Sequence, residues 1–509
     1  MPDNLIKLRP SSLVVDIPPS ETPPDVYTEI KNCQFREAFA VKSLGWKRIF
    51  LQPPSPPQYL VNLFDGTLNY WVAACEDGVY ISDTVNPWFN ITPATFQPCD
   101  SNRWSHALIN GKLVLNNGEF EPCYWSGFGA MTTLPDWPAD TLVAWVRSHK
   151  YHLFAGNVLA PAAMPNRVMW SDSAEPGTVP QEWTPSPTNE AGFVDLASTE
   201  VPCVDGLTLR GAFIVYKHSS CYRFNYVGGT FVFTNTKIFG TVGLLALNCV
   251  IEYEGMHYIL SDGDIYAHDS QNIVSLVDKT VKRFVFDQIN SAARDTCYLA
   301  ADRANNEILF CLAGPDKDVP SNALVWDTRR EKIGFREIGE ANFITSGIVT
   351  VANASNAWQD DTASWASDIT RWNATEFSAV DDGMLIANAT KNWIYHLDGS
   401  IDQDGEPVDF LVAKSYMDMG TPTTFKLVKR IWPHMTATAG GLLTVRVGGS
   451  ASPSGAITWS DPVTFDPATA NKVDTFAAGR YLSFQFTAPQ DQQIQFNGWD
   501  VELGDTGRF

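Results

Sequence analysis

No stretch of the sequence approaches the run of about twenty apolar residues that a membrane-crossing helix requires, so no span is expected. Basic residues are scarce: 36 Lys and Arg stand against 57 Asp and Glu, a formal charge of −21. Gripping a duplex depends on Lys and Arg replacing condensed counterions, so a phosphate-clamping surface is not expected. An acidic surface reads first as one that keeps the chain in solution; it also suits a conduit along which a polyanion slides without being held. The chain contains no GxSxG elbow, HExxH, Walker loop or glycine-rich dinucleotide turn after a strand. The nine cysteines (Cys33, Cys75, Cys99, Cys123, Cys203, Cys221, Cys249, Cys297 and Cys311) are odd in number and never in CxxC spacing. They read as small hydrophobes in strands, not as a disulfide framework or zinc knuckle. The start, "MPDNLIKLRPSS", lacks the basic-then-apolar plan of a signal peptide, and synthesis in the cytoplasm is expected.

What the chain does have is strand-forming material. Its 509 residues are 44% hydrophobic types, enough for several packed cores. Aromatics at 12%, with 35 Gly and 32 Pro, predict many short strands joined by turns and few long helices. Residues 1–58 carry "DIPPSETPP" (Asp16 to Pro24) and "QPPSPPQ" (Gln52 to Gln58), which predict an extended proline-rich arm of the kind that serves assembly. From 59 to 404 one design recurs: an apolar run, a turn on Asp, Asn or Gly, and a second run, as in "LNYWVAACEDGVYISD", "GAFIVYKHSSCYRFNYV" and "GMLIANATKNWIYHLD". Each reads as a hairpin, and starts about 40 to 50 residues apart match a four-stranded blade. The expected fold is mainly β: a β-propeller-like central domain of six to eight blades with inserted loops. An insertion near 341–380 carries Trp358, Trp365 and Trp372, candidates for a contact between subunits. Residues 405–509 turn to clean alternation, as in Tyr481 to Phe486, and predict a C-terminal antiparallel β-sandwich.

Nothing in the sequence singles out a catalytic, cofactor-binding or metal-binding residue. His149 and His152 are three apart in what reads as a strand, which turns them to opposite faces. Asp360-Asp361, Asp381-Asp382 and Asp402-x-Asp404-Gly405 are carboxylate pairs, and the last opens like a calcium loop without the ligand series that closes one. The densest cluster is "SDGDIYAHD", Ser261 to Asp269. Compared with "EDGVYISD", Glu76 to Asp83, it reads as a recurring Asp-Gly turn whose closing Asp caps the next turn.

The stretch "NCQFREAFAVKSLGWKRIF", with Asn32, Phe35, Arg36, Gly45 and Trp46, resembles the opening of tail-nozzle proteins of short-tailed bacteriophages, also called tail tubular protein B or packaged-DNA stabilisation protein. The far end resembles them too, in "VKRIWPHM", "VRVGG", "AGRYLSFQF", "NGWDVEL" and "GRF". The resemblance implies a structural virion protein and no enzyme: a ring, usually a hexamer, below the portal and adaptor, that retains packaged DNA and conducts it at infection. It implies as partners other copies of the chain, the adaptor, tail fibre or spike proteins, and DNA passing without sequence-specific binding. Asn32, Phe35, Arg36 and Trp46 are then further interface candidates. The competing expectation is a carbohydrate-binding or carbohydrate-degrading propeller protein, which needs two carboxyls facing each other across a cleft.

Overall fold

The computed structural model describes residues 5–36, 39–64, 69–83, 86–229, 231–349, 381–437, 441–488 and 492–507. The protein is mainly β, and the sole α-helix among the described residues is Lys282–Gln288. Four-stranded antiparallel meanders follow one another over 57–90, 105–133, 142–195, 203–239 and 250–275. A sixth spans 298–337 and a seventh 341–397. Several of their first hairpins close in two residues, as at Asn110-Gly111, where φ is 48° and 74°. Such turns need positive φ at both positions, and their twist matches the strands they join.

The first strands of successive sheets lie side by side. Ser105–Ile109 packs on Leu142–His149, that on Cys203–Leu209, and so on through Val250–Tyr253 and Tyr298–Asp302 to Ala341–Val349. Ala341–Val349 packs in turn on Pro57–Phe64, the first strand of the first sheet. Between sheets, faces are apolar because alternate residues point into them; Trp145, Phe154, Phe213 and Phe224 fill one such gap. The seventh sheet has three consecutive strands over 341–397, takes Trp46–Ile49 from the N-terminal region as its fourth, with Leu397 opposite Trp46 and Ile394 opposite Ile49, and continues beyond it with the short strands Asp402–Gln403 and Glu406–Pro407.

The proline-rich beginning is thus woven into the body of the chain. Leu5–Leu8 pairs with Ile494–Gly507, and Glu29–Lys31 pairs with Phe410–Met417. Cys33–Arg36 and Phe39–Lys42 bridge the sixth meander to the C-terminal strands Ile494–Gly507, Phe425–Ala437 and Val473–Gly479 in one ten-stranded sheet. A second C-terminal sheet, with Phe410–Met417, Tyr481–Ala488 and Leu443–Ser450, packs against it. Phe486 lies between them with its ring 4.8 Å from Trp499 and 4.7 Å from Phe496. Rings packed at such distances add about 0.5–1.5 kcal/mol per pair beyond the burial of their area.

Candidate functional site

The nine residues Ser261 to Asp269 form a hairpin, with Ser261 opposite Asp264 and Gly263 at φ 87°. Their polar groups diverge. Asp262 pairs with Arg294, Asp264 with Lys282 at 2.6 Å, and Asp269 accepts from the N–H groups of Asn272 and Gln271, which hold its carboxyl at about 2. The matching Asp83 accepts from the N–H of Asn86, as the repeat predicts, whereas Gly78 keeps a negative-side φ and its turn differs from that at Gly263.

His268 belongs to a separate buried chain of hydrogen bonds. The Ser270 N–H donates to His268 Nδ1, so Nε2 carries the proton and donates to the Tyr216 hydroxyl at 2.6 Å. That hydroxyl donates to His257 Nδ1 at 2.6 Å, and His257 Nε2 donates to the Thr208 carbonyl. Every position is filled with both rings neutral. Burial, and for His257 also the neighbouring His268, pushes their pKa values down to about 3 for His257 and about 4 for His268.

His149 and His152 face each other across a hairpin turn, not along a single strand as the sequence predicts, because Lys150-Tyr151 forms the turn. Both rings pack on Phe233, but their hydrogen bonds go to different partners: His149 Nδ1 bonds Thr208 and His152 Nδ1 bonds the Ser171 carbonyl. Asp404 is held by Arg48 at 2.8 Å and by the Tyr395 hydroxyl, and Asp402 accepts from Ser400. Among the described residues, no group of three or more His, Cys, Asp or Glu side chains is placed to hold a metal ion. Nor is any helix long and apolar enough to cross a membrane.

The residues singled out near the N-terminus stitch the chain to itself. Asn32, at φ 48°, donates through Nδ2 to Glu337 and to the Asp409 carbonyl, and accepts from the Glu337 N–H. Phe35 stacks on Tyr27. Arg36 is bidentate to Glu307, at 3.0 and 3.1 Å, and reaches Asp398, which also takes Arg336 at 2.8 Å. Burial would raise the Asp398 carboxyl, and the Arg336 and Arg36 charges overcome it and hold the group below its usual range. Trp46 lies half-buried over Gly339. Trp358, Trp365 and Trp372 lie outside the described residues, as does Asp360-Asp361.

Where the seven first strands converge, a cavity of about 170 Å³ is lined by Tyr59, His106, Arg147, Asp205, Asn248 and Ser346, among others. Arg147 Nε and Nη2 clasp the two Asp205 oxygens at 2.8 Å each, and Nη2 also donates to Asn248. Asp205 accepts two more bonds, from the N–H groups of Gly206 and Asn248. Tyr59 and His106 Nδ1 bond at 2.8 Å beside them. Burial, then the Arg147 charge, lowers His106 to about 3, and burial raises Tyr59 to about 12. Neither is poised to move a proton near neutral pH. The sequence reading missed this cluster; the signal was Arg147 inside the apolar strand "LVAWVRSH".

No family model matches the sequence, and no curated protein sequence does either. Among solved structures, the chain is similar to a novel fungal alcohol oxidase with catalytic diversity among the AA5 family, in complex with copper. The match covers 88% of this chain and 93% of that one at 8% identity, with a TM-score of 0.40.

Proposed function

We propose that this protein is a structural component of a virion, the tail nozzle of a short-tailed phage, acting as a ring of copies below the portal and adaptor. The seven meanders are read as a seven-bladed β-propeller with inserted loops, closed by the N-terminal strand Trp46–Ile49, with the C-terminal sheets as a sandwich fused to the sixth blade. The supporting observation is where the two resembling ends meet. The strand after Asn32-x-x-Phe35-Arg36 pairs with the strand of "NGWDVEL", Ala40 opposite Phe496, and "VKRIWPHM" pairs with the same strand, Ile431 opposite Val501. Motifs some 400 residues apart in sequence build one sheet, which accounts for their joint occurrence.

On this reading the path for DNA lies between subunits, because the axis of each propeller is blocked by the Arg147–Asp205 pair and the Tyr59–Phe343 contact. An acidic chain lining that path would not hold the polyanion. The carbohydrate reading has less support: the central cavity offers one carboxylate, Asp205, and four donors already occupy it. Electron microscopy of the purified protein, alone and mixed with the adaptor, is the test. Rings with a central channel are expected; a monodisperse monomer that never joins the adaptor contradicts the proposal.

A further inference from the structure

A second recess, of about 430 Å³, lies where the sixth meander meets the C-terminal strands. Two hairpin turns form its wall, Asp302 to Glu307 and Asp327 to Lys332, and they are tied together by Thr328, whose N–H and hydroxyl both donate to the Asn306 carbonyl. Arg36 is on its floor, and Arg329, Arg330, Asn306, Gln493 and Gln495 surround it.

Donors predominate in this lining; the exception is Asn305, whose amino group is used on Asp302 and whose side-chain oxygen is left to accept. The Asn306 side-chain oxygen already accepts from the Tyr253 hydroxyl at 2.8 Å, and the Gln495 oxygen from Thr436 at 3.3 Å, so both amides have their amino groups left to offer. Arg329 makes no ion pair among the described residues, and Arg330 has only a 3.7 Å pair with Asp327. The Asp327 carboxylate is itself occupied, accepting from the N–H groups of Arg329 and Arg330 on Oδ1. Arg36 is neutralised by Glu307 beneath it. What faces the recess is therefore chiefly donors with a net positive charge, in a chain whose formal charge is −21.

We propose that this recess binds a phosphate group. Guanidinium forks match oxyanions, and a phosphate, with three terminal oxygens, can engage Arg329, Arg330 and an amide together where a carboxylate has only two oxygens to share. The volume lies in the range of small-ligand sites and exceeds what one inorganic phosphate fills. A sugar phosphate fits this chemistry in full; one phosphodiester unit of a nucleic acid has two terminal oxygens and would meet the two guanidinium groups without the amide. Phe39 and Val41 supply an apolar side for the non-phosphate part. The proposal stands apart from the nozzle reading, since ring assembly neither requires nor forbids such a site.

The test is titration calorimetry of the full chain with inorganic phosphate, ribose 5-phosphate, a short single-stranded oligonucleotide and citrate, repeated on the Arg329→Ala/Arg330→Ala double variant. Both side chains are exposed, so the variant is expected to melt like the parent. Phosphate-bearing probes should bind, and the double variant should weaken them at least about tenfold, as for loss of a charge-assisted hydrogen bond. Arg103→Ala, an exposed arginine elsewhere, should leave binding unchanged. Tighter binding of the oligonucleotide than of ribose 5-phosphate identifies nucleic acid as the source, and the reverse order identifies a small metabolite. Absence of phosphate binding, citrate binding in its place, or equal binding by the double variant overturns the proposal.

Discussion

Arg147 and Asp205 show how strongly single residues hold this molecule. The guanidinium is buried, and burial opposes its charge; Asp205 outweighs that and leaves its pKa raised. Asp205→Ala strands a charge in the interior, a loss of about 3–5 kcal/mol measured by urea unfolding. A loss under about 1 kcal/mol would show that water reaches the pair. The histidines give a pH dependence of known sign. His106, His257 and His268 have folded pKa values of about 3, 3 and 4, below the unfolded value near 6.5, so the unfolded chain binds more protons between those limits. Their contribution is complete above pH 6.5 and is lost as pH falls toward 4 for His268 and toward 3 for His106 and His257, by up to about 1.4 kcal/mol per pH unit for each group. Melting at pH 7 and pH 5 reads this out: the Tyr216 network predicts a lower midpoint at pH 5, and His268→Phe should make the difference smaller.

At the level of strands and turns, much was legible from sequence. Each quoted apolar run is a hairpin, closed by two residues at Glu76-Asp77, His218-Ser219 and Asp262-Gly263 and by a longer loop at 389–392, because a short apolar run broken by polar turn residues is a local signal. The fate of the N-terminal region was not legible. Pro-Pro pairs predict extended backbone, but which sheet an extended segment joins depends on partners hundreds of residues away, such as Ile394 for Ile49 and Glu502 for Leu5. Likewise the sequence does not set Arg329 and Arg330 beside Gln493; the fold does. Gly45 shows the same long-range control. A Cβ there would overlap the Asp402 carbonyl, so Gly45→Ala forces apart the loop and the strand that completes the seventh sheet. The expected loss is about 3 kcal/mol in chemical denaturation, as for overpacking against backbone. A neutral substitution would mean that the loop yields freely.

For the whole molecule, the ten-stranded sheet ties the sixth meander, the N-terminal strands and the C-terminal strands into one structure. A fragment of residues 405–509 lacks the strands Leu5–Leu8, Glu29–Lys31 and Phe39–Lys42 that border its sheets. It is expected to show collapsed amide dispersion by NMR, and adding residues 5–44 as a linked segment should restore it; a well-dispersed spectrum from the fragment alone would contradict the coupling. On the proposed nozzle function, DNA passes between copies of the chain. The most direct measurement is a cryo-electron microscopy map of the assembled tail at side-chain resolution. The account predicts a ring of copies around one channel lined mainly by acidic and neutral side chains, with the Arg147–Asp205 pair intact and the axis of every protomer closed. A channel wall made chiefly of Lys and Arg, DNA threading a protomer's own axis, or a tail lacking this protein would contradict it.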